Sequence, residues 1–362
     1  MVSASQLQQA CVVSERSESP VIKAQRLAYA IFQRPDLDEA ERFFCAFGLL
    51  VDHRESDVLY FRGRTEQNII LVVRRGPHDM IGLGIVAATA DLQCLSEETG
   101  SAVRMHKAPM AGSFITLTDP DGMVVEVCSG LRKLPPIERS FETAAWNSSD
   151  SKGRVGRPVR VDICSHLVEK LGHSVVGAAK IKDTAEWYQN TLGMIVSDFQ
   201  FIIDDPVPVV AFLRFDNGDV PSDHHSFGIA SAIEKGHVHS AFEMDSIEQI
   251  AIGGEWLREN KYKHSWGIGR HILGSQIFDY WREPNGDLFE HYSDGDVFDA
   301  SKSAGYHMLS AKAQHQWGPS QTKEFTGEDK PWNLLKSLAR RIPADDDLSV
   351  SRVRRLLKSL NS

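Results

Sequence analysis

No CxxC pair occurs in this chain: Cys11, Cys45, Cys94, Cys128 and Cys164 are odd in number and lie far apart. That pattern excludes a disulfide framework and a thiolate zinc site, and it suits reduced thiols in a cytoplasm. Long apolar runs are missing as well. Asn68–Val73 (NIILVV) is typical of the longest and is far too short to span a bilayer. The opening MVSASQLQQACVVSERSESP has neither a basic start nor an apolar core, so no secretory signal is expected. Basic charge is in deficit, with 40 Lys and Arg against 49 Asp and Glu and a formal net charge of −9. Such a balance leaves no electrostatic footprint for nucleic acid or an anionic membrane. Histidine is scarce in the first part: of 14, only His53, His78 and His106 precede residue 160. Chemistry that needs imidazole is therefore expected after that point.

What is present describes a globular protein. Hydrophobic residues make up 42% and charged residues 25%, which argues against disorder. At 362 residues the chain has room for two domains. Residues 1–25 are polar and read as a loose arm. From 26 to 131, strand-like runs (Leu59–Phe61, Ile69–Val73, Ile81–Ala87, Phe114–Leu117 and Met123–Val127) accompany one helix, Asp36–Phe47. Acidic residues start that helix and Gly48 stops it.

The second part repeats this plan. A short helix, Asp183–Leu192, is again stopped by a glycine, and Ala40 to Gly48 and Ala185 to Gly193 are equal intervals. DPDGMVVEV (119–127) and EPNGDLFEH (283–291) are each a turn running into a strand, with Glu126 and Glu290 at equivalent positions. Two diverged copies of a βαβββ-type unit pair are the simplest reading, in an α+β fold. Residues 132–167 carry Pro135-Pro136 and Asn147-Ser-Ser and read as a linker. The second unit then occupies 168–298, and a tail with a basic helix, Leu348–Leu360, occupies 299–362. A solvated face on its own domain is the plainer reading of that helix.

In the second unit His173 and His239 fall on strand-like runs, and Tyr280 and Glu290 flank the Glu283-Pro-Asn-Gly turn. Two neutral imidazoles and one carboxylate from separate strands can hold one face of an octahedral ion and leave three positions open, the arrangement of non-haem Fe(II) oxygenases. Strands suit the task because alternate side chains aim into one cavity. Each residue alone has a bland reading: a lone histidine on an apolar strand is usually a satisfied core group. The series is another matter.

In order, His173, His225, His239, His271, Tyr280 and Glu290 resemble the C-terminal domain of the type I extradiol ring-cleavage dioxygenases of the vicinal oxygen chelate superfamily. That family runs ligand His, catalytic His, ligand His, catalytic His, Tyr, ligand Glu. Its last two intervals, nine and ten residues, are met by 271 to 280 and 280 to 290. The His224-His225 block, fifteen residues before His239, fits too. The resemblance covers about residues 26–298 and implies tandem βαβββ modules forming two barrel-like domains. His173, His239 and Glu290 would hold Fe(II), with Mn(II) the other ion that suits these donors. The substrates would be an aromatic diol and O2. His225 would stand beside O2 and donate a proton, His271 would orient the diol, and Tyr280 would hydrogen-bond to its hydroxyl. Phe227, Phe242, Trp266, Phe278 and Trp281 are candidates for the pocket wall.

The metal positions have counterparts in the first unit near Ala28, Leu83–Gly84 and, for Tyr280, Thr116, with Glu126 alone retained, so that half would be structural. His237 lies two residues before His239 and competes for its place; register with the family favours His239. Family precedent also implies a cytoplasmic homo-oligomer. Rival readings are a two-domain dioxygenase of the hydroxyphenylpyruvate type, which chelates an α-keto acid and does not need His225, His271 and Tyr280, a non-catalytic binding protein of the same fold, and a glyoxalase-type isomerase, whose ligands come from both halves.

Overall fold

A computed structural model describes residues 3–67, 69–138, 147–202, 204–232, 235–310 and 314–325, with residues 352 and 355. The two expected helices form where their end signals lie. Helix Leu37–Ala46 starts at Asp36, whose carboxylate accepts from the backbone N–H of Asp38 and Glu39, and it buries Leu37, Ala40, Phe43 and Phe44. Helix Ile181–Leu192 ends at Gly193, in the left-handed conformation at φ 68° that favours glycine. Two further helices, Thr89–Thr99 and Ile247–Glu259, were not anticipated. The first is mostly polar and gives little periodic signal.

The repeat seen in the sequence is a repeat of topology. In the first sheet, Arg26–Arg34 runs parallel to Ile69–Arg75 and antiparallel to Asp79–Val86, which runs parallel to Val124–Ser129. In the second, Leu171–Ala178 runs parallel to Phe227–Ser231 and antiparallel to Gly236–Glu243, which runs parallel to Leu288–Ser293. The sheets have eight and ten strands, giving a mixed, sheet-rich α+β architecture with few helices.

Register sharpens the comparison of the halves. Tyr280 lies opposite Glu290 as Thr116 lies opposite Glu126. His173 lies opposite Ala241, which pairs with Glu290; Tyr29 lies opposite Gly84, which pairs with Glu126. Tyr29, rather than Ala28, is therefore the counterpart of His173, and Gly82 that of His239. The bulge at Leu27–Tyr29 has its match at Leu171–His173; the count made on sequence alone is displaced because the first half runs from strand to helix end with one residue fewer, Tyr29 to Gly48 against His173 to Gly193. The Tyr29 hydroxyl donates to Glu126 Oε2 at 2.6 Å, so the first half satisfies its buried carboxylate with a phenol.

One hydrophobic core runs through both halves. Phe43 and Phe44 of helix Leu37–Ala46, and Phe47 just past its end, pack on Phe289, with ring centroids 5.9, 5.0 and 6.1 Å away. His291 turns the same way, stacks on Phe47 at 3.8 Å, and its Nε2 lies 2.7 Å from the Phe47 carbonyl oxygen. Arg34, fully buried, reaches across to Asp287 Oδ2 at 2.5 Å and Glu283 Oε2 at 3.5 Å. Alternation along the strand then sends Glu290, between Phe289 and His291, to the opposite face. Phe289→Ala is expected to lower unfolding stability by about 3–5 kcal/mol. A urea midpoint measures this, and weaker metal retention should accompany it because Glu290 loses its backing.

Both termini depart from the sequence reading. Residues 3–25 are no loose arm: they form helix Ala4–Ala10 and bury Leu7, Val13, Ile22 and Ala24. The Glu15 carboxylate accepts from the Tyr306 hydroxyl at 2.9 Å. The tail contributes strands to the second sheet, Gly305–Met308 beside Ile195–Phe201 and His315–Trp317 beside Lys263–His271. The basic helix expected over Leu348–Leu360 lies outside the described residues apart from residues 352 and 355. Among the described residues no helix is long and apolar enough to cross a membrane.

Candidate metal centre

Three neighbouring strands of the second sheet each send one side chain to a common point. His173 comes from Leu171–Ala178, His239 from Gly236–Glu243 and Glu290 from Leu288–Ser293. His173 Nε2 lies 3.2 Å from His239 Nε2, and each stands 3.3 Å from Glu290 Oε2. Ligand bonds of about 2.1 Å at right angles set donor atoms about 3 Å apart, close to the spacing found. His173 and Glu290 are 1% and 0% exposed.

Neither Glu290 oxygen accepts a hydrogen bond of acceptable geometry. A buried carboxylate without such partners is costly, and a divalent cation between the three donors supplies what is missing. Burial works to raise the Glu290 carboxyl, yet the two imidazoles facing it outweigh that and hold it well below the ordinary range. Burial also pushes His173 down. A neutral imidazole and an ionised carboxylate are the protonation states that bind a metal. A second convergent group, His78, Glu283 and Asp287, already holds a cation in the Arg34 guanidinium.

His237 is kept away from this centre by backbone geometry. The ladder slips between His237 and His239, and this bulge turns the two histidines apart. His237 instead faces Ser240 Oγ at 3.0 Å, Asp287 Oδ1 at 3.3 Å and the edge of Phe32 at 4.9 Å.

A cavity of about 210 Å³ opens over the three donors, and His225, His271 and Tyr280 line it with them. His225 packs on His173 with ring centroids 4.1 Å apart, and burial amid other imidazoles pushes it well below the usual histidine range. His271 Nδ1 is 2.9 Å from the Gln314 carbonyl oxygen, which only accepts, so Nδ1 carries the proton. Its Nε2, 3.0 Å from the Tyr280 hydroxyl, is then the acceptor of that O–H. Burial raises Tyr280 well above the usual phenol value.

The pocket wall differs from the five aromatic residues expected. Trp266 lines the cavity, and its indole N–H donates to the Pro319 carbonyl at 2.8 Å. Phe278 stands behind it, stacked on His271 at 4.1 Å. Phe227, Phe242 and Trp281 belong to the common core instead. Sequence reading missed Phe212, Gln200, Gln276 and the tail residues Gln314, Gln321 and Phe325. Glutamine carries no motif, and the tail was assigned no place in the fold; Thr322, whose hydroxyl donates to the Ser265 carbonyl, fixes it there. A wider cleft of about 800 Å³ between the halves holds none of these histidines.

No family model matches the chain. A curated protein, metapyrocatechase 2 of Cupriavidus necator, is 26% identical over 321 residues, 86% of this chain and 96% of that protein. Among solved structures, a Mn(II)-bound glyoxalase from Novosphingobium aromaticivorans superposes with TM-score 0.68 at 21% identity, covering 84% of this chain and 94% of its own. The homoprotocatechuate 2,3-dioxygenase of Arthrobacter globiformis gives 0.67 at 16%, covering 86% and 93%. A 2,3-dioxygenase from a Pseudomonas species gives 0.65 at 17%, covering 80% and 98%. The similarity to extradiol dioxygenases read from the sequence stands in this sequence relative, and the neighbours share the fold.

Proposed function

We propose that this chain, similar in sequence to a metapyrocatechase, is a metal-dependent extradiol dioxygenase that opens the ring of a catechol-type diol with O2. The observation that carries this reading is the conjunction of a two-His, one-Glu triangle with His225, His271 and Tyr280 around one cavity. Fe(II) is the proposed ion, and Mn(II) suits the same N and O donors. When bound by His173, His239 and Glu290, the ion supplies a Lewis acid that gathers diol and O2 side by side and lowers the diol's pKa.

The protein's own groups then handle protons. Tyr280 donates to His271 Nε2, which leaves the phenol oxygen free to accept from a diol hydroxyl and orient the ring. His225 borders His173 on another side of the cavity. It takes up a proton released by the diol and returns it to oxygen as the ring opens. The product class is a ring-opened semialdehyde acid containing both atoms of O2. Val175, Phe212, Trp266, Leu273 and Phe325 shield this chemistry from water.

An α-keto-acid chelator gives no use to His225, His271 and Tyr280. A glyoxalase-type site, with ligands from both halves, fails on the first half, where Tyr29 and Gly82 stand at the histidine positions. Mass analysis after turnover under isotopically labelled dioxygen tests the proposal: both labels in a ring-opened product that keeps every carbon support it, and both labels in a product that keeps its aromatic ring and has lost CO2 support the keto-acid chemistry. Phe325→Ala, which removes part of the cavity wall, is expected to raise KM for the diol about tenfold with kcat little changed. Steady-state kinetics at saturating oxygen measure both.

A further inference from the structure

His225 is the first of four groups joined edge to edge. Its Nδ1 lies 2.9 Å from His224 Nδ1, and the two rings are nearly perpendicular at 88°. His224 Nε2 lies 2.5 Å from Asp198 Oδ2, and Asp198 Oδ1 lies 2.7 Å from His307 Nε2. His224, His225 and Asp198 are 1%, 4% and 8% exposed, whereas the His307 side chain is 42% exposed. The chain thus runs from the cavity wall to solvent.

His224 is clamped on every side. Its backbone N–H donates to the Asp296 carbonyl at 2.8 Å, and its carbonyl accepts from Ser197 Oγ at 2.5 Å. Phe298 meets its ring at 5.4 Å. Gly274, at φ 76°, comes so near that a Cβ there would sit 3.0 Å from Nδ1. A residue held this firmly, one hydrogen bond beyond the cavity-lining His225 and outside the metal triangle, has more to do than fill space.

Hydrogen-bond logic fixes the protons. An ionised carboxylate only accepts, so His224 Nε2 carries a hydrogen, and in the tautomer proposed below its Nδ1 offers a lone pair. The hydrogen between the two Nδ1 atoms must then belong to His225, whose remaining nitrogen, Nε2, faces the cavity without one.

Building on the dioxygenase reading above, we propose that His224, Asp198 and His307 are positioning residues that hold His225 in its Nδ1–H tautomer and form its proton path to solvent. A proton arriving at His225 Nε2 is matched by one leaving Nδ1 for His224 Nδ1. The imidazolium formed at His224 is paired by Asp198, and the reverse transfer restores the resting state. No proton is created or lost.

Asp198→Asn tests this directly. The amide nitrogen can donate where the carboxylate could only accept, which turns His224 over and forces His225 into the Nε2–H form. Imidazole nitrogen NMR on the full-length zinc-loaded protein is expected to show Nδ1–H for His225 in the parent and Nε2–H in Asp198→Asn. In the iron-loaded protein, kcat is expected to fall about 10–100-fold with the diol KM within about twofold. His307→Ala is expected to lose several-fold in kcat and to recover it when imidazole is added to the buffer, which a merely structural brace would not do. The same His225 tautomer in both proteins, or an unchanged kcat in Asp198→Asn, overturns the proposal. The tautomer is read without turnover, so a protein that shows the switch but opens no ring would sink the dioxygenase reading and leave the positioning role intact.

Discussion

Glu290→Ala is expected to abolish metal retention and ring cleavage together. Both losses share one cause. Glu290 is fully buried and its oxygens have no hydrogen-bond donor of acceptable geometry, so the metal-free fold carries a charge whose natural partner is the ion. Removing the carboxylate removes the only anionic donor of the triangle. Even a partner one layer beyond a metal's ligands is worth about 10–100-fold in affinity or activity, so losing this one should cost on the order of a thousandfold or more. Metal analysis and oxygen uptake measure both effects. A variant that kept a full complement of iron would contradict the assignment of Glu290.

His225→Ala is expected to separate chemistry from metal binding. Its ring borders His173 without belonging to the triangle, so iron content and the diol KM should hold. The group that takes and returns a proton is lost, and general acid–base assistance is worth about 10²–10⁴-fold, so kcat should fall within that range. Steady-state kinetics beside metal analysis distinguish this from His173→Ala, which should lose iron first. Loss of iron in His225→Ala would make His225 a ligand or a prop for one.

The convergence of the candidate site residues was legible in the sequence because the proposed chemistry needs rare residue types at fixed intervals along strands. His271, Tyr280 and Glu290 keep their spacing since the strands bearing Tyr280 and Glu290 are adjacent and joined by a tight turn. The helices at Leu37 and Ile181 were legible from Asp36 and Gly193, which act locally. The bulge between His237 and His239 aims His239 at the other two donors, and only register with the family pointed to it beforehand. What failed depended on events no local pattern records. The first half runs from strand to helix end with one residue fewer, which moves the counterpart of His173 from Ala28 to Tyr29. Phe227, Phe242 and Trp281 resemble pocket residues in sequence but meet the shared core when the two halves close on each other. The arm and tail looked extraneous because their partners, such as Glu15 with Tyr306, lie at opposite ends of the chain.

The most direct test is oxygen uptake by protein purified and reconstituted anaerobically with Fe(II), then offered a panel of catechols and hydroquinones. One O2 consumed per diol, with a new visible chromophore that is absent in Glu290→Ala and forms at least about a hundredfold more slowly in His225→Ala, is the predicted result. One iron bound per chain and no uptake with any aromatic diol would contradict ring cleavage and point to a chelating keto acid as the substrate.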